Sequence, residues 1–567
     1  MNHPIKSLYP NGCFAVFNKT HSTQYIKNLQ LSKQTVKKSP LLAMSVCLLS
    51  MTTVFTSSAY ANLNNTDIDA DSNLSSLTTL KIKTTQTVIS TEQTKQANAV
   101  SQTNENKKTS QTVSALPKLS SLENAPKLTL TIPTIEHFKT ANGVPVAFVR
   151  STNIPIVDVS IMFNAGSARD GEIRDSGYGI ANMTATMLSQ GTKQLDEDAF
   201  NRQVEQYGLD LSAQAERDAF SISLRSLSDE KYRDHAVDLL SQMLTEATFD
   251  SKVLERNKAR ILVFLKQQQE NPSAIASLRF YKELYGEHPY AQPIAGTLET
   301  VPTLTREDLE NFRKQFLVAS NASIAITGNL TNEQAKNLAN QLTVKLAIGE
   351  PAKKLADAKP LQNSKYVHVP FEGSQTTVMM GNIGNKYSAD PSKWQDRTNF
   401  AIANEALAGG NFNARLMQEI RKKRGLTYGI YGSNTTNMSN GNYKISFATR
   451  NEKLNEGIDE TIKLVNKTRK EGLTQQEIKL TKDQLSNSFP MSFASNAGIN
   501  SLLSMMNFYQ LPDSYLADYL IRIENADDAQ INQSLVENIH PDKFLIVTVG
   551  DNYVGDSYVS DSYVDDK

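Results

Sequence analysis

The chain has 567 residues, too many for one hydrophobic core, and its 59 basic and 59 acidic side chains leave no net charge at pH 7. That balance excludes a strong electrostatic pull toward nucleic acid or an acidic membrane, and the run Arg421-Lys422-Lys423-Arg424 reads as a solvated helix face. The only cysteines, Cys13 and Cys47, precede an apparent signal-peptidase site, so a mature chain carries neither disulfides nor thiolate metal ligands.

In chain order the first feature is an export signal. Lys37 and Lys38 precede an apolar stretch over 41–55, and Ala59-Tyr60-Ala61 fits a small-x-small cleavage rule with a mature start at Asn62. The stretch is too short, and too polar in its second half, for a membrane span. Residues 1–61 are therefore expected to be a signal peptide with an extended n-region, and the mature protein to be periplasmic with no integral membrane segment. From 62 to 130 the sequence is rich in Ser, Thr, Asn, Gln and Lys; up to Pro126 it has no aromatic residue and no glycine. Such a stretch cannot offset its ordering entropy by burial and is expected to be a disordered tether. At the far end, 551–567 repeats Asp-Asn-Tyr-Val and Asp-Ser-Tyr-Val every five residues and reads as a disordered acidic tail.

Between these lie two similar halves, 131–348 and 364–550, joined by a Pro- and Lys-containing linker over 349–363. The first half predicts strands over 144–150 and 157–164, then helices over 177–189 and 196–207, a strand over 220–227, and helices over 232–247 and 252–271. Pro272 is expected to end that long helix, and a closing strand over 323–328 leads to a helix over 332–343. The second half predicts strands over 366–369 and 376–383, then helices over 394–408 and 412–423. A hairpin of 428–433 with 443–449 follows, turning at Asn440-Gly441. Helices over 454–471, 475–488 and 497–509 precede a last strand over 544–549, with Pro490 breaking the chain between the last two helices. Strands, then helices, then strands in each half define an α+β fold: two mainly antiparallel sheets, each with helices packed on one face.

Four segments carry a family resemblance. They are Phe163-Asn164-Ala165-Gly166-Ser167-Ala168-Arg169-Asp170-Gly171 with Gly177-Tyr178-Gly179; His288-Pro289-Tyr290 with Gly296-Thr297; Ile324-Ala325-Ile326-Thr327-Gly328-Asn329; and Gly409-Gly410-Asn411 through Arg421 to Gly425-Leu426-Thr427-Tyr428. In this order they resemble the insulinase/pitrilysin zinc peptidases over about 135–550. That family binds zinc through an inverted H-x-x-E-H helix. Two imidazoles and a carboxylate at i, i+3 and i+4 share one face, and a glutamate from a later helix completes the site.

Here the matching positions are Asn182, Ala185 and Thr186, with Phe264 at the third-ligand position. An amide, a methyl, a hydroxyl and a phenyl ring cannot hold zinc. The remaining mature histidines, His137, His235, His288, His368 and His540, stand at no ligand spacing, so no cofactor is expected in this chain and the chain alone is expected to be inactive. In two-chain relatives the non-zinc subunit supplies an Arg/Tyr pair to its partner's active site. The resemblance places that pair at Arg421 and Tyr428, donors suited to a carbonyl oxygen gathering negative charge; on residues alone, Arg421 in a solvated basic run and Tyr428 packed within the hairpin is the competing reading. The resemblance thus implies the non-catalytic subunit of a heterodimeric metallopeptidase, with a zinc-bearing partner and a peptide substrate. The alternative is a stand-alone peptide-binding scaffold that adds extended peptides to a sheet edge.

Overall fold

The computed structural model describes residues 132–551. The expected signal peptide, the tether and all but the first residue of the tail lie outside the described residues.

Two sheets repeat one plan. The first holds β1 (Glu136–Lys139), β2 (Pro145–Arg150), β3 (Ile156–Phe163), β4 (Asp210–Ala215), β5 (Phe220–Leu227) and β6 (Ala322–Gly328), in the order β1-β2-β6-β3-β5-β4. The second holds β7 (Lys365–Pro370), β8 (Gln375–Ile383), β9 (Ile430–Thr435), β10 (Asn442–Arg450) and β11 (Leu545–Gly550), in the order β7-β11-β8-β10-β9. Without β1 the two orders coincide. In each, one entering strand runs parallel to the closing strand (Val146 opposite Ile324, Lys365 opposite Leu545), and the other ladders are antiparallel.

The sequence pattern explains the layers. Phe-Ser-Ile-Ser-Leu-Arg-Ser-Leu in β5 alternates buried with more exposed positions, the period of a sheet with one apolar face. β6 and β11 are buried at every position because they are central and covered on both sides. One face of the first sheet, with Val146, Phe148, Ile324 and Ile326, packs under the helices of its own module. The opposite face, with Ala147, Val149 and Ala325, receives Ile499 and Leu503 from the Asn496–Phe508 helix of the second module. In return the Pro272–Tyr285 helix of the first module lays Ala276, Phe280 and Leu284 on Val547, Val549 and Met379 of the second sheet. Each module lends the other one helix, so both sheets become fully covered.

Two local expectations change. The long helix, Ser251–Gln268, stops before Pro272; Asn271 caps a new helix in which Pro272 is the first residue, where its missing N–H costs nothing. The hairpin does not turn tightly at Asn440-Gly441. Pairing closes at Thr435 with Asn442, and the 436–441 connection detours to the first module. Gly441 is required because a Cβ there would fall 1.7 Å from the Thr435 carbonyl oxygen.

Candidate functional site

Two of the family-like segments meet around one helix start. Asp170, buried, accepts hydrogen bonds from the backbone N–H of Gly179 (2.7 Å) and of Ala181 (2.8 Å), so its carboxylate caps the Ile180–Leu188 helix. Gly179 has φ +99°, and a Cβ on it would press on Ala295 and Gly296; a Cβ on Gly296 would meet the Tyr178 carbonyl at 2.6 Å. Burial pushes the Asp170 carboxyl up to about 8 against the lowering pull of these N–H groups. The folded chain then holds a proton that the unfolded chain, at 3.8, releases. This contribution to stability is fully present below pH 3.8 and is lost as pH rises through about 8. Melting curves at pH 5 and pH 8 should show the native chain weaker at the higher pH, with a shallower slope for Asp170→Asn. Equal slopes would assign the pH dependence to other groups.

Asn182, Ala185 and Thr186 lie on this capped helix. Ala185 is 6 % exposed, and the Thr186 hydroxyl donates to the Asn182 carbonyl at 2.9 Å, so it is turned back onto its own helix. Phe264 sits on the Ser251–Gln268 helix, packed against the first core. That helix also touches the capped one, where the Asn257 amide reaches Met187 Sδ at 3.3 Å. These four side chains offer no imidazole, thiolate or carboxylate, and the described residues contain no group of three or more His, Cys, Asp or Glu poised around a metal. They do not fit zinc. The histidines have other roles: His137 pairs with Asp513 (2.8 Å), His368 with the Thr548 hydroxyl (2.9 Å), and His235 stacks on Tyr207. His288 Nδ1 accepts the Tyr290 N–H while Nε2 meets the Ala356 carbonyl.

The second module holds the Arg/Tyr segment by its backbone, with Tyr428 exposed and Arg421 half-buried. Arg415 is clamped to Glu477 by two hydrogen bonds and to the Gly472 carbonyl at 2.9 Å. The helix expected over 412–423 is instead a loop followed by a π-helix, Met417–Lys423, a wider turn that recurs at functional sites. It ends at Gly425, φ +61°, whose N–H bonds the Arg421 carbonyl at 3.0 Å while Leu426 N–H bonds that of Ile420 at 3.1 Å. The Thr427 hydroxyl lies within hydrogen-bond distance of the Gly429 and Ala448 carbonyls (2.8 and 2.7 Å) and shares its proton between them, fixing the chain on both sides of Tyr428. Tyr428 itself is 85 % exposed, so it does not pack within the hairpin. In the basic run Lys423 pairs with Glu419 and Arg424 with Glu460, whereas Arg421 has no carboxylate partner among the described residues. Its guanidinium carbon lies 4.7 Å from the Phe412 ring centre.

A third cluster joins the modules through Tyr290, which lies in a family-like segment, and Asp218, which does not. Asp218, from the β4–β5 turn, accepts from the buried Tyr290 hydroxyl and, at 2.7 Å, from Met438 N–H of the second module. Ser439 N–H donates to the Tyr290 oxygen at 3.1 Å, and the Tyr285 hydroxyl donates to the Asn440 carbonyl at 3.1 Å. Burial pushes the Asp218 carboxyl up, while Tyr290, Met438 and the charges of Arg169 and Arg217 pull it down. His288-Pro289-Tyr290 is therefore a junction motif. Asp218 went unnoticed because nothing in Arg217-Asp218-Ala219 distinguishes it from an ordinary turn aspartate.

Fold and site together define a class: a two-module α+β peptidase-like scaffold, with no zinc-binding side chain at Asn182, Ala185 or Thr186 of the Ile180–Leu188 helix, and a guanidinium without a carboxylate partner among the described residues and an exposed phenol on the second module. Residues 145–298 match the insulinase family (peptidase family M16) and residues 303–485 match the peptidase M16 inactive domain. The chain belongs to peptidase family M16. It is 26 % identical over 408 residues to the "Non-peptidase homolog YmxG" of Helicobacter pylori, covering 69 % of this chain and 88 % of that one. An uncharacterised zinc protease of Rickettsia bellii is 24 % identical over 354 residues, 62 % of this chain and 82 % of that one. Among solved structures, a peptidase M16 inactive domain from Pseudomonas fluorescens superposes with a TM-score of 0.70 at 33 % identity, covering 74 % of this chain and 98 % of that one. A Helicobacter pylori protease reaches 0.66 at 16 % identity, over 74 % of this chain and 100 % of that one, which bears on the fold alone. No helix among the described residues is long and apolar enough to cross a membrane.

Proposed function

We propose that this protein is the non-catalytic subunit of a heterodimeric periplasmic zinc peptidase, which closes the substrate chamber and positions a peptide for a zinc-bearing M16 partner. The observation that carries the reading is an asymmetry. The helix that would hold zinc has no ligand, while Arg421 and Tyr428 are held by their backbones with side chains free to meet a substrate. The names of two similar proteins, a non-peptidase homolog and an inactive domain, agree with it. The mature chain begins at Asn62 in this reading.

A second reading is favoured by one feature. β4 is the edge of the first sheet beside the blank helix, and its outward side chains alternate exposed and half-buried, a geometry open to strand addition by an extended peptide. A stand-alone peptide-binding scaffold would use that edge without chemistry.

Affinity purification of the tagged mature chain from its native periplasm, with mass spectrometry and metal analysis, separates them. A stoichiometric partner bearing an intact H-x-x-E-H, with about one zinc per pair and none in this chain alone, is the expected result. Recovery of the chain alone, or only with itself, would leave the scaffold reading.

A further inference from the structure

We propose that Phe412 is the positioning residue for Arg421: its exposed ring holds the guanidinium in place while leaving the charge and the N–H donors free for a substrate. The proposal rests on the reading of Arg421 as a substrate-contacting group and adds how that group is kept ready.

Two arginines six residues apart show the contrast. Arg415 is neutralised by Glu477 and tied to Thr468 and Gly472, a structural clamp. Arg421 has no such partner: Glu419, two residues before it, pairs with Lys423, and Glu460 pairs with Arg424 and Lys463. An arginine at a surface without a partner samples many rotamers. Here its Cζ lies over the Phe412 ring, 4.7 Å from the centre. An aromatic face attracts the cation through its quadrupole and neither accepts its in-plane N–H groups nor cancels its charge. A carboxylate in the same place would do both, and would weaken donation to a carbonyl oxygen.

Phe412 is also placed for this task. It is 67 % exposed, so burial gives little reason for a phenyl ring there. Its backbone is pinned nonetheless. The Gln418 side-chain amide donates to the Phe412 carbonyl, and Asn411 bonds Glu405 (3.0 Å) and the N–H of Asn413 (2.8 Å), shaping the loop on either side of the ring. The loop is tied to the same π-helix that carries Arg421, so ring and guanidinium share one frame.

The test has a readout that needs no partner. In the isolated mature chain, nuclear magnetic resonance should find the Arg421 Nε–H signal displaced by the ring current of Phe412. Phe412→Leu, which keeps apolar bulk, should return it to the value of a free arginine, and Phe412→Trp should preserve or enlarge the displacement. In the reconstituted pair, with a quenched fluorescent peptide cleaved by the wild-type assembly, Phe412→Leu should lower kcat roughly two- to fivefold with KM little changed, and Phe412→Trp should restore it. In an Arg421→Ala background the same Phe412→Leu change should have no further effect. An Arg421 signal unmoved in Phe412→Leu overturns the proposal, and so does a Phe412→Leu rate loss that persists without Arg421. If instead Arg421→Ala alone leaves the rate unchanged, the reading of Arg421 fails, a result the spectrum of the isolated chain tells apart from failure of the bracing itself.

Discussion

Arg421→Ala and Tyr428→Phe should each lower kcat of the assembled peptidase by roughly 10²–10³, the usual cost of removing one preorganised donor to a developing oxyanion. The chain itself should be hardly disturbed. Tyr428 has its ring in solvent, and the turn beneath it is held by Thr427, Gly425 and the Thr449 hydroxyl on the Leu426 carbonyl (2.6 Å), none of which either substitution touches. Surface changes of this kind alter stability by no more than about 0.5 kcal/mol. A fall in kcat with an unchanged melting temperature therefore separates donation to substrate from structural support. Lys422→Ala, an exposed member of the same basic run, serves as the control and should change neither quantity. If both variants kept full kcat with the partner, the subunit reading would lose its chemical content and Arg421 would revert to a solvated helix cation. A loss confined to KM would mean that the pair holds the bound peptide and the transition state equally.

Much of this was legible because local rules dominate where an element is regular. The 454–471, 475–488 and 332–343 helices follow the apolar period, and the latter two begin at Thr capping boxes, Thr474 with Glu477 and Thr331 with Gln334. The same signal stands at Thr305 with Asp308 and marks the start of the Arg306–Phe316 helix, which is absent from the sequence expectations. What the sequence hid was set by the other module. The Pro272–Tyr285 helix has no counterpart among the sequence expectations, because its apolar face answers to β8 and β11, nearly a hundred or more positions further on. The 436–441 connection reads as an Asn-Gly turn, because a local rule cannot see Tyr290 and Asp218 drawing the chain across. The site divides the same way. That Asn182, Ala185, Thr186 and Phe264 cannot ligate zinc follows from residue type alone. The bracing of Arg421 by Phe412 depends on a π-helix and a loop whose partners are side chains rather than a spacing pattern.

The largest effect on stability is expected at the junction. Asp218→Ala should cost about 3–5 kcal/mol, because it removes the acceptor of the buried Tyr290 hydroxyl and of the part-buried Met438 N–H together. Tyr290 is completely buried, and its oxygen already receives the Ser439 N–H, so losing Asp218 leaves the buried phenol O–H without its acceptor. Met438 N–H loses its partner in the same step, and with it the 436–441 connection loses a tie to the first module. Asp218→Asn keeps one carbonyl acceptor but places an amide N–H₂ against a donor, so it should fall between alanine and the native residue. Tyr290→Phe removes one hydrogen bond from each side and should cost less than Asp218→Ala, about 1–3 kcal/mol. The double variant should lose less than the sum of the two, since both act on one network. Calorimetry reads a further consequence. The modules exchange helices across an apolar interface, and the junction adds directional bonds between them. Weakening those bonds should broaden or split the unfolding transition relative to the native chain's, toward one for each sheet. A uniform downward shift with the transition still sharp would mean that the exchanged helices alone keep the modules cooperative, and that Asp218 contributes stability without coupling.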